Sequence, residues 1–268
     1  MKHLIPMAVC YDFDGTLSPK NMQDYAFMDH IRQTPARFWQ QANDFARQSN
    51  ADPVAAYMFF MMKMAKDNNT PFTRKALNNY GKNITLFPGV ESWFPQINQY
   101  AKKQGIALCH YIISSGLQEM LEGTRIKKYF HKIFASSFIY DNNNAAIWPA
   151  MVVNYTGKTQ FLFRINKGCE DITDNSKINQ YVPPQERPLP FTNMIYIGDG
   201  DTDIPCMKMV KEQGGHSIAV YNPSKKGKKD KAHQLVAEDR VNIALPADYS
   251  ENKGIDKYVK SVVDMLSA

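Results

Sequence analysis

Four short apolar runs, Pro6–Phe13, Ile106–Ser114, Met194–Gly198 and Ser217–Tyr221, are separated by stretches of helical periodicity. The runs are continuous rather than alternating, the pattern of strands covered on both faces. Helical patterns occupy Val90–Lys103, Leu117–Lys128, Thr202–Gln213 and Ile255–Leu266. Strands that alternate with helices predict a parallel α/β sheet, because parallel neighbours need a long crossover. Such sheets bind ligands beyond the carboxyl ends of their strands. The polar clusters lie there: DFDGT closes the first run, SSG the second, and GDGDTD the third.

Two regions break the alternation. Residues 18 to 83 are helical in pattern, and Thr34-Pro35 and Asp52-Pro53 each put a capping residue before a proline at the first helical position. This block is expected to be a helical cap between the first two core strands, leaving residues 1–17 and 84–268 as the α/β core. Its Tyr57-Met-Phe-Phe-Met-Met-Lys-Met64 stretch can line an apolar pocket, although burial of a cap helix explains it more simply. Later, KIFASSFIYDNNNAAIWPAMVVNY reads as a β-hairpin turning at Asp141 to Asn144, and the stretch from Pro183 to Pro190 reads as a loop.

Composition excludes several classes. With 268 residues, 44% hydrophobic and 22% charged, the chain can bury a substantial core and is not of disordered type. No run reaches the ~18 apolar residues of a membrane helix, and the amino-terminal run lacks the longer apolar region and cleavage site of a signal peptide. Cys10, Cys109, Cys169 and Cys206 are scattered without C-x-x-C spacing, so neither a zinc site nor a disulfide framework is expected, and a reducing cytoplasm fits. Net charge is +6, much of it in SKKGKKDK, where five lysines between Lys225 and Lys231 face one aspartate. No aromatic residues interleave there, so a solvated loop is expected rather than a nucleic-acid surface.

Three segments carry chemistry. Asp12 and Asp14 are two residues apart at a strand end, so their side chains point the same way before Gly15 lets the backbone turn. Such a pair suits a hard cation with oxygen ligands, though Asp and Gly also form ordinary turns. Ser114-Ser115-Gly116, before a helical pattern, offers hydroxyl and backbone N–H groups to a phosphate. Asp199, Asp201 and Asp203 crowd three carboxylates into five residues, which costs energy unless a cation offsets them.

In this order the segments resemble the haloacid dehalogenase superfamily of phosphohydrolases, and the cap between the first two resembles the subgroup containing phosphoserine phosphatase. The resemblance implies a Rossmann-like parallel core with Mg²⁺ as cofactor. It implies Asp12 as the nucleophile that becomes an aspartyl-phosphate, and Asp14 as general acid and base, which requires a raised pKa. Asp12, the backbone carbonyl of Asp14, and Asp199 would hold the metal. Ser114, Ser115, Gly116 and a lysine would hold the phosphoryl oxygens; Lys158 is the better match for that lysine, and Lys167 is its rival. Asp203 would orient Lys158 or a metal-bound water, and Asp201 has no role. An acidic residue at position 14 distinguishes phosphatases and mutases from the dehalogenases, where it is not acidic, and from the P-type pumps, where it is Thr.

The expected activity is hydrolysis of a small phosphorylated metabolite. A phosphomutase or phosphotransferase on the same site is the near alternative, and a non-catalytic binding protein using the 225–231 loop the distant one. Phosphoserine phosphatases carry a Glu shortly after the first motif and usually Ser-Gly-Gly in the second; here Ser18 to Gln23 contains no Glu, and the second reads Ser-Ser-Gly. A substrate other than phosphoserine is therefore expected. Arg32, Arg37, Arg47 and Lys63 in the cap are candidate contacts to its anionic group.

Overall fold

In the computed structural model, which describes residues 4–268, the apolar runs assemble into one seven-stranded sheet. Its strands are β1 (Ile5–Tyr11), β2 (Ile106–Leu117), β3 (Lys132–Tyr140), β4 (Ala146–Met151), β5 (Met194–Gly198), β6 (His216–Tyr221) and β7 (Ile243–Pro246). They lie in the order β4-β3-β2-β1-β5-β6-β7, with β1 in the middle. All neighbours are parallel except β3 and β4, the expected hairpin. The sequence reading of an α/β parallel core is therefore correct.

Strand alternation divides the core. Along β1, Met7, Val9 and Tyr11 belong to one buried cluster and Ala8 and Cys10 to another, so each face of the sheet has its own core. The helices are α1 (Ala26–His30), α2 (Pro35–Gln48), α3 (Pro53–Asp67), α4 (Arg74–Gly81), α5 (Val90–Lys103), α6 (Gln118–Gly123), α7 (Thr159–Lys167), α8 (Asn175–Asn179), α9 (Ile204–Glu212), α10 (Lys228–Ala237) and α11 (Gly254–Ser267). Trp93 and Ile97 of α5 and Val259 and Val263 of α11 fill the first cluster; Phe161 and Leu162 of α7 and Met207 and Val210 of α9 fill the second.

The segment between β1 and β2 starts its helices where the sequence expects. Thr34 accepts the Arg37 N–H at the head of α2, and Asp52 accepts those of Val54 and Ala55 at the head of α3, each before a proline. In the Met-rich stretch Met58, Phe60, Met61 and Met64 are buried in the first cluster, so burial is the reading that applies to them. Tyr57 is buried in the same cluster, and its hydroxyl donates to the Ser115 carbonyl at 2.6 Å. Helix α4 crosses α6 at glycines: a Cβ on Gly81 would lie 1.9 Å from the Met120 carbonyl oxygen, and one on Gly123 would lie 1.8 Å from that of Asn78.

Some elements differ from the sequence reading. The helix expected over Leu117–Lys128 is only Gln118–Gly123, because β2 runs on to Leu117 and Gly123 sits against Asn78. β7 is four residues long, too short to carry a pattern. The lysine-rich stretch opens α10. Among the described residues no helix is long and apolar enough to cross a membrane, and the four cysteines are free.

A polar network is buried behind the end of β1. Trp93 Nε1 donates to the Tyr11 hydroxyl at 2.9 Å, and that hydroxyl lies 3.0 Å from His110 Nδ1. His110 Nε2 lies 2.9 Å from Asn98 Oδ1. Burial pushes the His110 pKa down to about 3, so the ring is neutral. With Nε2 donating to Asn98, Nδ1 accepts from Tyr11. The residue before Asp12 is thus held at both its backbone and its side chain.

Candidate active site

The site begins where β1 stops. Asp12 N–H still donates to the Ile197 carbonyl of β5 at 2.9 Å, so Asp12 is placed by the sheet. The chain then turns through Gly15, whose φ is +81°. Gly15 N–H closes onto the Ser18 carbonyl at 2.7 Å, and Phe87 N–H holds the Leu17 carbonyl at 2.9 Å. The Asp14 side chain turns to the start of the inserted segment and accepts the Met22 N–H at 2.8 Å. Burial, and after it the Asp12 charge, push the Asp14 carboxyl well above the usual carboxylate range.

Lys158, fully buried at the head of α7, lies between two carboxylates. Its Nζ donates to Asp12 Oδ1 at 2.8 Å and to Asp203 Oδ1 at 2.7 Å. Asp203 also accepts from the Tyr196 hydroxyl at 2.9 Å and from Gly200 N–H at 3.2 Å, so both its oxygens are engaged. Burial disfavours the Lys158 charge, but Asp12 and Asp203 outweigh it and hold the ammonium protonated. Burial raises the Asp12 carboxyl, Asp203 raises it further, and Lys158 pulls it back. Burial also raises Asp199, against the pull of Lys228 at 2.9 Å.

Asp12, Asp199 and Asp203 each present an oxygen within 4.8 Å of the others. This donor set is all oxygen, and burial without a further cation is costly for it, so the residues fit a hard divalent ion such as Mg²⁺. The two oxygens of Asp203 are spent on Lys158, Tyr196 and Gly200, which leaves Asp12 and Asp199 as the available carboxylates. The Asp14 carboxylate faces Met22, so Asp14 has its backbone carbonyl to offer.

These groups open into a cavity of about 420 Å³. Its floor is Asp12, Asp14, Asp199 and Ser114-Ser115-Gly116. Ser114 Oγ accepts the Gly116 N–H at 3.0 Å, and Ser115 Oγ is buried without a partner among the described residues. The walls come from Trp39 and Asn43 of α2 and Val54 and Tyr57 of α3. Lys20, Lys225 and Lys228 line it too.

The structure thus brings Asp12, Asp14, Ser114, Ser115, Gly116 and Asp199 to one cavity, with Lys158 and Asp203 directly behind Asp12. Lys167 points elsewhere, donating to the Ile178 and Gln180 carbonyls. Arg32, Arg37, Arg47 and Lys63 do not line this cavity; Arg47 pairs with Asp44 and Lys63 with Asp67. The cations that do line it were missed. Lys228 pairs with Asp199 and Lys231 with Asp201, which gives Asp201 a partner. A signal for this existed: loops after adjacent parallel strands share one edge of the sheet.

Gly15 tests how tightly the first turn and Asp199 are coupled. A Cβ there would lie 2.4 Å from Asp199 Cγ. Gly105 has a similar φ of +78° and open space around its Cβ position. Gly105→Ala is expected to cost about 1 kcal/mol of stability from backbone strain alone. Gly15→Ala adds displacement of the Asp199 carboxylate and is expected to lower kcat/KM about 100-fold. Equal activities of the two variants would show that Asp199 need not sit where it does.

A family model described as haloacid dehalogenase-like hydrolase matches residues 9–208. An uncharacterized protein of Borreliella burgdorferi is 27% identical over 280 residues, spanning 94% of this chain and 95% of its own. A haloacid dehalogenase family hydrolase of Salmonella enterica serovar Typhi superposes with a TM-score of 0.60 at 17% identity, over 98% of this chain and 73% of its own. A substrate-bound phosphoserine phosphatase superposes with a TM-score of 0.54 at 14% identity, over 96% and 98% of the two chains. At such identities the structural likeness is one of fold.

Proposed function

The chain belongs to the haloacid dehalogenase-like hydrolases, and from that membership we propose that it is a magnesium-dependent phosphatase cleaving a small phosphate monoester through an aspartyl-phosphate on Asp12. One observation carries this reading. Asp12, with Lys158 Nζ 2.8 Å from its Oδ1, opens with Asp14 and Ser114-Ser115-Gly116 into a single cavity. That is a nucleophile, a proton donor and a phosphate cradle in one place.

Lys158 holds one oxygen of Asp12, so the other is the nucleophile. It attacks phosphorus in line; the Asp12–phosphorus bond forms as the bond to the alcohol oxygen breaks. Asp14, whose carboxyl burial raises well above the usual carboxylate range, gives its proton to the departing oxygen. A water then attacks the same phosphorus and passes its proton to Asp14. The Asp12 carboxylate returns and inorganic phosphate leaves. Lys158 and the hydroxyl and N–H groups of residues 114–116 meet the phosphoryl oxygens, and Asp203 keeps Lys158 in position. Asp12, Asp199 and the Asp14 carbonyl would hold Mg²⁺, which supplies positive charge to the phosphoryl oxygens. In this reading residues 18–83 are a cap on a core of residues 1–17 and 84–268, of which residues 1–3 lie outside the described residues. Trp39, Asn43, Val54 and Tyr57 are the cap's contribution to the cavity.

The test is phosphate release from an aryl phosphate. Release is expected with Mg²⁺, background in excess chelator, and recovery on restoring Mg²⁺. Beryllium fluoride, a phosphoryl mimic, is expected to inhibit by attaching to Asp12. Folded protein that neither releases phosphate with Mg²⁺ nor binds the mimic would overturn the proposal.

A further inference from the structure

The lysine cluster of residues 225–231 lies beside the reaction site. Lys225 and Lys228 line the cavity, together with Lys20 from the turn after the first motif. Two lysines of the cluster are committed: Lys228 to Asp199 at 2.9 Å and Lys231 to Asp201 at 2.7 Å. Lys20 and Lys225 are exposed on the same cavity and form no ion pair among the described residues. Asp24 is the carboxylate close to both. Burial raises its carboxyl, and the bond from Trp39 Nε1 at 2.7 Å and the charges of Lys20 and Lys225 pull it only part of the way back. Two cations against one indole-bound carboxylate leave the mouth positive.

A second observation concerns the inside of the cavity. Gln23 lines it and is 1% exposed, yet its Oε1 has no hydrogen-bond partner among the described residues. A buried amide left unpaired is costly unless a ligand completes it. The carboxylates lining the cavity are Asp12, Asp14, Asp199 and Asp201. The first three form the reaction floor and the fourth is paired with Lys231. Away from the floor, the lining therefore offers cations, neutral polar groups and, among the described residues, no carboxylate left without a lysine to meet an ammonium.

Resting on the phosphatase reading, we propose that the substrate is a phosphate monoester whose alcohol part carries a second anionic group, a carboxylate or another phosphate, received by Lys20 and Lys225, with Gln23 Oε1 accepting from a hydroxyl between the two ends. A cavity of about 420 Å³ suits a compact metabolite of this kind. The two lysines act at the mouth, so they favour capture of the doubly anionic ester, and salt weakens that preference.

The experiment compares kcat/KM for four esters at low and high ionic strength. Phosphoglycerate carries a carboxylate as its second anionic group, a hexose bisphosphate a second phosphate, glycerol phosphate no second charged group, and phosphoethanolamine an ammonium. Wild type is expected to prefer one of the two anionic esters over the neutral one by about tenfold or more, the ammonium ester being poorest. The two anionic arms distinguish carboxylate from phosphate. Lys20→Ala/Lys225→Ala is expected to cut the anionic-to-neutral ratio about fivefold to tenfold, mainly through KM, and the doubly reversed Glu variant to cut it further. Equal use of neutral and anionic esters by wild type, or a ratio unmoved by the double variant, overturns this inference and leaves the phosphatase reading standing. No release from any ester, the aryl phosphate included, overturns both.

Discussion

Asp12→Asn is expected to abolish phosphate release, with a loss of about 10⁴-fold or more, while the fold is kept and its stability is equal or higher. The activity term follows from chemistry. An amide is a poor nucleophile toward phosphorus and forms no stable acyl phosphate, so nothing divides the reaction into two easier steps. The stability term follows from the site. Asp12 is 5% exposed, and burial and the charge of Asp203 raise its carboxyl more than Lys158 lowers it. The amide has nearly the same shape, can turn its oxygen toward Lys158 Nζ, and removes a buried charge facing Asp203 and Asp199. Native proteins hold such groups at a cost for the sake of activity. Phosphate release and denaturant unfolding in chelator read the two effects separately. Residual hydrolysis within tenfold of wild type would remove Asp12 from the nucleophile's place.

Lys158→Met is expected to lose both. The ammonium is buried between Asp12 and Asp203, at 2.8 and 2.7 Å, with both carboxylates also buried. Removing it leaves two carboxylates facing each other without a counter-charge, which costs about 3 kcal/mol or more. Activity is expected to fall about 10²- to 10³-fold, the size found when one preorganised donor is removed from a site where negative charge develops. The two variants thus remove a charge from opposite ends of the same ion pair, with opposite signs on stability. Lys167→Met is the matched control, because Lys167 Nζ serves the Ile178 and Gln180 carbonyls and is remote from the carboxylates. A Lys158→Met protein as stable as wild type would mean that Asp12 and Asp203 do not both carry charge when folded.

Much of this was legible from local pattern. Val90–Lys103 and Met194–Gly198 are elements with the very bounds read from the sequence. The hairpin around Asp141 to Asn144 also formed, as did both proline-led helices of the inserted segment. Each of these signals lies within a few residues of what it specifies. What was not legible depends on residues far apart. Helix α6 stops early because Gly123 meets Asn78 of α4, about 45 residues earlier in the chain. The lysine cluster looked like a solvated loop because, although it follows the strand read at Ser217–Tyr221, nothing local indicates that this strand pairs with β5 and so brings the cluster beside the acidic loop. Lys158 was already the better match than Lys167 because a helical pattern starts there, and of the two only Lys158 faces β1.

The place of β1 has a consequence for how the polypeptide is made. It is the middle strand of seven and the first of them to be synthesised. Tyr11 pairs with Ile112 on one side and Ile197 on the other, so its neighbours follow it by about one hundred and nearly two hundred residues. At the ~5–20 residues per second typical of translation, β1 waits roughly 5–20 s for its first partner and about twice that for its second. Throughout that interval Met7 to Tyr11, all apolar and all destined for burial, are an unpaired strand with two open edges. The helices of residues 18–83 emerge meanwhile, and their apolar faces give the waiting strand something of its own chain to collapse against. The ribosome-bound protein is therefore most in need of a holding chaperone at its amino-terminal strand, the one that ends in the residue on which its chemistry is proposed to depend.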